Sequence, residues 1–483
     1  MIYLFNLFVN SFYLYFLVSI LINQYYSVSR FIKVITSFLL KKKNIILLLL
    51  NLGTIPILLI SKVSFYVLNI LLVIIFYLVN RPLKFNFTRR NLLLIIISLI
   101  ISIFVLPIFI FTSLVILLLV FYIVLPYELL IKRYYLKKAK KKLNNIDPFI
   151  IGISGSYGKT SFKNILYNVL KTKYQVSMPL GNINTLMGIT RFINDELKIN
   201  DEILIVELGI DSSNGMSKFK KLLKLDIGVL TSIGENHLSN FKTLENTFIS
   251  KMKIKELLKE DGKLFLNDDS LYLKDVEEKG NIIKYTKNNI DIISSSIEGI
   301  KVKIQGKEVN INLVGKYNFA YIDGVIKISE ELNVPKEYVG LGLKEIKPIK
   351  RRLEVKKYKD GYFINNSYNF NLNGVKEALD LLSSLEGSKV VILGGMIEQG
   401  KYYYINNNKI KDLLVGYNVI LVNPSKVLTR NNKYESLYRV KSLDEAYTLV
   451  DRYHFKNILL LASPDSIYLK WGNYEKNCNC IWW

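Results

Sequence analysis

Phe149-Ile-Ile-Gly152-Ile-Ser-Gly-Ser-Tyr-Gly-Lys-Thr160 decides how this chain is read. The apolar run Phe149, Ile150, Ile151 has the length of a strand start, and Phe162, Ile165, Leu166, Val169 and Leu170 recur at helical spacing. Strand, glycine-rich turn and helix together form a phosphate cradle. Gly155 and Gly158 let the backbone bend so that the N–H groups around Ser156, Tyr157 and Ser161 face one point, and the helix start adds the positive end of its dipole. Lys159 reaches a terminal phosphate and the Thr160 hydroxyl a metal ion. The strict G-x-x-x-x-G-K-[ST] pattern is not met, because Ile153 stands at the first glycine position; what is present is the shorter G-x-x-G-K-T. The same letters also suit a glycine turn with a solvated lysine.

Working toward the N-terminus, the chain changes character. No Asp or Glu precedes Glu128, and apolar runs occupy about 1–22, 44–60, 63–80, 91–105 and 108–126. Each is near the ~20 residues that cross a bilayer core, the shorter ones with tilt or snorkelling ends. Arg30, Lys33 and Lys41–Lys43 follow the first run; Arg81, Lys84, Arg89 and Arg90 follow the third; Lys132, Arg133, Lys137, Lys138 and Lys140–Lys142 follow the fifth. The positive-inside rule then predicts five spans, an outer N-terminus and a cytoplasmic remainder. The expected organisation is a transmembrane domain at 1–127, a basic connector at 128–147, and two α/β domains at 148–352 and 353–483.

The net charge of +25 does not call for nucleic acid: 17 of the 65 Lys and Arg, but one of the 40 acids, fall in residues 1–142. Charge so placed orients a membrane protein and attracts anionic lipid; the Lys137–Lys142 cluster is equally well read as a solvated run. Cys478 and Cys480 have a spacer poor for a disulfide and are too few for a zinc site.

Toward the C-terminus, Pro179-Leu-Gly-Asn-Ile-Asn-Thr185 puts Asn182, Asn184 and Thr185 on a glycine-bounded loop that suits a polar ligand, or a plain turn. Glu202-Ile-Leu-Ile-Val-Glu207 reads as a buried parallel strand whose terminal acid can hold Mg²⁺ beside phosphates. Ile227–Gly234 runs into Glu235-Asn-His237 in the same way. A second strand series at Tyr362–Asn366, Lys389–Leu393, Asn418–Val422 and Asn457–Leu461 has no phosphate loop. Alternating strands and helices predict parallel sheets covered on both faces.

Taken together these residues resemble the Mur ligase family, in its MurF-type branch, which adds D-alanyl-D-alanine to the peptidoglycan precursor peptide. The resemblance rests on Gly152–Thr160, Gly181-Asn-Ile-Asn-Thr-Leu-Met-Gly-Ile189, Val206-Glu-Leu-Gly209, Ser232-Ile-Gly-Glu-Asn-His-Leu238, Ser250-Lys251, Asn318, Arg352 and Asn366-Ser-Tyr-Asn-Phe-Asn371. It implies an α-helical membrane domain joined to a P-loop Mur ligase central domain and a Rossmann-like C-terminal domain, with ATP and Mg²⁺ as cofactors. It further implies that Lys159, His237, Lys251 and Arg352 are catalytic. Gly155–Ser161, Asn318, Arg352 and Asn366 would bind ATP, and Thr160, Glu207, His237 and a carbamylated Lys251 would hold metal. Asn182, Asn184, Thr185, Ser367, Tyr368 and Asn369 would face a peptide precursor and an amino acid or dipeptide.

Four features depart from the family pattern. Tyr317 stands for a His, Asn366 for an Asp and Lys253 for an acid, and membrane runs replace the soluble uridine-diphosphate-binding domain. A lipid-linked precursor therefore joins the soluble one as an expected substrate. A ligase similar to poly-γ-glutamate synthase, and a nucleotide-binding membrane scaffold with impaired catalysis, are the alternatives.

Overall fold

The computed structural model describes residues 9, 11, 13–18, 35–36, 40, 44–46, 50, 62–79, 89–102 and 109–461, except 305, 369–370, 397–398, 423–425 and 430–432. They divide into two compact units at Lys132/Arg133. In the first, helices α1 (Lys62–Val79) and α2 (Arg89–Ser102) precede α3 (Phe109–Ile146), and Leu72, Val73, Leu94, Leu117 and Val120 are buried together. Among the described residues one helix is long and apolar enough to cross a membrane, Val115–Ile146 with mean hydropathy 2.2; Leu92–Ile101 is a shorter apolar helix. Of the five runs expected to span, those at 1–22 and 44–60 lie mostly outside the described residues, as do Cys478 and Cys480.

The basic connector is not a separate segment. Helix α3 runs through Pro126 without a break to Ile146. Pro126 removes a single N–H from the ladder, and the Lys, Leu and Ala that follow are strong helix formers. Ala139 and Leu143, one turn apart, are buried against Phe192 and Ile193 in the core of the second unit, which holds this end of the helix in place.

The second unit has two lobes. In the middle lobe, β1 (Phe149–Ser154) leads to α4 (Lys159–Leu170), then β2 (Val176–Ser177), α5 (Leu186–Asp195), β3 (Ile203–Glu207), β4 (Leu225–Leu230), α6 (Leu244–Met252), β5 (Leu258–Asn267) and β6 (Ile282–Tyr285). The sheet order is β2-β3-β1-β4-β5-β6, parallel throughout. Such strands are covered on both faces, which is why they read as unbroken apolar runs. Ile153 pairs with Glu207 and Ser154 with Leu230, so the carboxyl ends of β3, β1 and β4 lie side by side where the chain switches direction across the sheet. An antiparallel sheet of β7 (Asp291–Ser296), β8 (Gly299–Ile304) and β9 (Lys307–Ile311) follows. Its Ile300, Val302, Val309 and Ile311 are buried with α4, α7 (Asn318–Glu331) and α8 (Lys336–Lys344).

The C-terminal lobe contains β10 (Glu354–Tyr358), β11 (Gly361–Asn365), α9 (Leu372–Ser383), β12 (Lys389–Leu393), α10 (Tyr403–Leu413), β13 (Asn418–Val422), β14 (Ser436–Val440), α11 (Leu443–Arg452) and β15 (Asn457–Leu460). Their order is β10-β11-β15-β12-β13-β14, with β10 alone antiparallel. The apolar runs expected as strands are β11, β12, β13 and β15. The two edge strands, β10 and β14, carry polar residues and have no such run.

Candidate active site

Everything converges on the loop between β1 and α4. Gly155 has φ 147° and Gly158 φ 81°, backbone shapes that side chains resist. A Cβ on Gly155 would drive into the Thr231 hydroxyl and one on Gly158 into the Tyr321 hydroxyl, so packing as well as torsion demands glycine at both. Not all the loop N–H groups point at one spot, contrary to expectation. Ser156 N–H donates to Ser232 O at 2.8 Å and Tyr157 N–H to Ser232 Oγ at 2.8 Å, because the β4 end lies alongside. Donors for an anion are therefore those of the first turn of α4, from Lys159 to Ser161, which lack intrahelical acceptors.

Two lysines face the same carbonyl: Lys159 Nζ donates to Gly155 O at 2.6 Å and Lys251 Nζ, from α6, to it at 3.2 Å. Burial lowers the Lys159 ammonium to about 8, with the Arg352 charge acting the same way and Glu207 opposing. Burial, then the Lys159 charge, presses Lys251 well below the ordinary lysine range, toward the neutral amine. Thr160 Oγ1 donates to Glu207 Oε2 at 3.4 Å and accepts from Arg352 Nη2 at 3.0 Å. Arg352 thus brings the hinge before β10 onto the phosphate loop. Its guanidinium lies 4.3 Å from the Tyr368 ring centroid, and Tyr368 Oη contacts Asn182 Nδ2.

His237 has φ 55° and begins a single helical turn, Leu238–Phe241, directly after Asn236, which donates to Ser156 O at 3.2 Å. Asn318 is buried; its Nδ2 donates to Val314 O at 2.9 Å, and its Oδ1 is buried without a partner. A cavity of about 240 Å³ lined by Val314 and Arg352 opens at this hinge.

The remaining candidates are used differently. Asn184 packs against Gly209, whose N–H donates to Asn184 O at 2.8 Å. Thr185 Oγ1 accepts from Gly188 N–H at 3.2 Å and so caps α5. Asn366 Nδ2 donates to Gly374 O at 3.1 Å, tying it to the first turn of α9, and Ser367 is buried with its N–H on Asn365 Oδ1. Asn369 lies outside the described residues.

Residues 153–322 match the Mur ligase middle domain. These residues are a Mur ligase middle domain. Members of this family are ATP-dependent acid–amino-acid ligases. The chain is 31% identical over 271 residues to the UDP-N-acetylmuramoyl-tripeptide–D-alanyl-D-alanine ligase of Bacillus subtilis, covering 54% of this chain and 59% of that one. Over 70% of this chain the fold is similar to that of MurF from Thermotoga maritima, solved with ADP and covered to 81%, with a TM-score of 0.62 at 22% identity. MurF from Acinetobacter baumannii gives a TM-score of 0.61 at 18% identity over 69% and 77%. The chain therefore spans about three fifths of the B. subtilis ligase.

Around the phosphate loop, the donor set fits a nucleoside triphosphate with Mg²⁺. Lys159, Arg352 and the α4 N-terminus supply positive charge, Thr160 and Glu207 are hard oxygen ligands, and the orphaned Asn318 Oδ1 can accept from an amino group. No cluster of three His, Cys, Asp or Glu occurs among the described residues. The two hard oxygens of Thr160 and Glu207 suit Mg²⁺, which takes one or two protein oxygens and completes its shell with phosphate and water. Several residues of this centre escaped the sequence reading. Lys163 of α4 is fully buried, 2.9 Å from Glu207 Oε1. Thr231 and Ser232 hold the phosphate loop, and Glu377 of α9 accepts from Lys316 N–H and Tyr317 N–H across the lobes. Lys163 sits between apolar positions of a helix, a weak signal; Ser232 opens the Ser232–Leu238 segment, and Thr231 and Glu377 have no signal.

Proposed function

We propose that this chain is a membrane-anchored, ATP-dependent amide ligase of the MurF type. Its reaction joins a peptide carboxylate to an amine, with addition of D-Ala-D-Ala to a peptidoglycan precursor as the preferred assignment. The observation that carries it is Arg352 of the interlobe hinge bonded to Thr160 of the phosphate loop, in a Mur ligase domain whose Glu207 closes the same cluster.

The carboxylate oxygen attacks the γ-phosphorus of ATP, and the bond to ADP breaks. The amine nitrogen then adds to the carbonyl carbon of the acyl phosphate, phosphate leaves, and the nitrogen loses a proton. Charge spread over the transferring phosphoryl oxygens is what the protein must stabilise. Lys159 and the α4 N-terminus hold the terminal phosphate from one side and Arg352 from the other. Mg²⁺ bound by Thr160 and Glu207 would neutralise the phosphate oxygens. Burial biases Lys251 toward the neutral amine, whose nitrogen adds to CO₂ and loses a proton; the resulting carbamate would offer an anionic oxygen where an ammonium would repel a metal ion. Asn182 and Tyr368 close the substrate side.

We assign the apolar helices to the bacterial cell membrane, with both lobes cytoplasmic. Arg133, Lys137, Lys138, Lys140 and Lys141 are exposed along α3, a stripe suited to anionic lipid. A lipid-linked precursor fits such an anchor. A second assignment, a nucleotide-binding scaffold, is favoured by Asn366, which bonds Gly374 where the family has an acid. Turnover by the purified full-length chain on soluble and on lipid-linked muramoyl peptides, with D-Ala-D-Ala, separates them. Amide product with either precursor supports a ligase; ADP binding with no product from any acceptor supports the scaffold.

A further inference from the structure

Lys163 follows Lys159 by one turn of α4 and has no exposed surface. Its ammonium meets three oxygens: Glu207 Oε1 at 2.9 Å, Pro179 O at 2.8 Å and Gly181 O at 2.8 Å. An ammonium has three N–H groups, so every donor faces an oxygen, although the alignment toward Glu207 makes that contact an ion pair rather than a hydrogen bond. Glu207 is itself buried, with its other oxygen on Thr160. One side chain thus joins the acid at the phosphate end to the bend that carries Asn182 and Asn184.

We propose that Lys163 is a positioning residue that sets Glu207 and the 179–185 loop as one unit, coupling the nucleotide–metal centre to the substrate loop. This rests on the ligase assignment above for the identity of the two sites. The mechanism is electrostatic. Lys163 occupies Oε1 and fixes the carboxylate plane, leaving Oε2 beside Thr160 for a cation. A cation drawing on Glu207 is felt through the same ammonium by the carbonyls of Pro179 and Gly181. A lysine needed only to neutralise Glu207 would not require those two carbonyls.

The test uses the full-length chain in detergent and thermolysin cleavage at Leu180, which is exposed at the loop tip. Lys163→Met strands a buried carboxylate and risks misfolding, so Lys163→Met/Glu207→Gln, which removes both charges, is made beside it. With the melting temperature of the double variant near wild type, cleavage is expected to rise about ten-fold as the loop opens locally. Cleavage at the wild-type rate in the folded double variant overturns the proposal, because the lysine then merely balances charge. In a second arm, ADP with Mg²⁺ slows cleavage of the wild type and leaves folded Lys163→Met unaffected although it still binds ADP; equal slowing in both overturns the coupling. Failure of the wild type to bind ADP counts against the ligase assignment instead, while the nucleotide-free arm still decides the role of Lys163.

Discussion

Arg352 bridges the lobes by lying 4.3 Å from the centroid of the Tyr368 ring while donating to Thr160 Oγ1 at 3.0 Å. The ring fixes the plane of the guanidinium, and the hydroxyl fixes its direction. Removing the ring in Tyr368→Ala forfeits a cation–π contact of about 0.5–2 kcal/mol, so the KM for ATP is expected to rise about 2- to 30-fold. Tyr368→Phe keeps the ring and loses the hydroxyl contact with Asn182, so its ATP KM stays near wild type. Steady-state kinetics on the two variants check this.

Gly158 meets two constraints, a φ of 81° and the Tyr321 hydroxyl where a Cβ would stand. Gly158→Ala pays about 1–2 kcal/mol for the left-handed backbone and displaces Tyr321 from the loop. Calorimetry should show ADP affinity reduced at least about ten-fold, and denaturant melts a loss of that order in stability. Adding Tyr321→Phe recovers part of the loss by removing the colliding oxygen.

Lys159 carries a pH signature. Burial lowers it from 10.5 to about 8, and only the ammonium form attracts phosphate. ADP affinity of the free protein is therefore expected to hold below about pH 8 and to fall above it, a limb that Lys159→Met removes. Stability runs the other way. Between about 8 and 10.5 the unfolded chain binds more protons than the folded one, so this group makes stability rise with pH across that window. Titration calorimetry and melts over the same pH series test both signs.

Glu377 accepts from Lys316 N–H and Tyr317 N–H, just before α7 begins at Asn318. A carboxylate from the C-terminal lobe thus holds the turn that leads into a helix of the middle lobe. Glu377→Ala should cost about 1 kcal/mol of stability, in line with other lost intramolecular hydrogen bonds, and Glu377→Gln less. Denaturant unfolding of both variants measures the difference.

The phosphate loop and most strands were legible because their signals are local. Gly155, Gly158, Lys159 and Thr160 are adjacent in sequence, and buried parallel strands such as β3 and β12 are unbroken apolar runs. Edge strands β10 and β14 interleave Glu, Lys, Tyr, Ser and Arg with few apolar residues, so no run marks them. Helix α3 was divided at Glu128 because the chemistry changes there, whereas helix propensity and the burial of Ala139 and Leu143 do not. Site residues recruited by tertiary packing left little trace. Lys163 looks like any helix lysine until β3 and the Pro179–Gly181 bend surround it, and Ser232 captures loop N–H groups only because β4 ends beside β1. Thr185 illustrates the reverse case, a polar loop residue whose hydroxyl is taken by its own helix.

Acid activation itself is open to one isotope measurement. Full-length protein is given ATP, D-Ala-D-Ala and a muramoyl tripeptide, soluble or lipid-linked, whose reacting carboxylate carries oxygen-18, and the released phosphate is weighed by mass spectrometry. The account predicts one labelled oxygen in each phosphate released with amide formation, and no release from Lys159→Ala. Phosphate that leaves unlabelled, or turnover that survives Lys159→Ala, contradicts it.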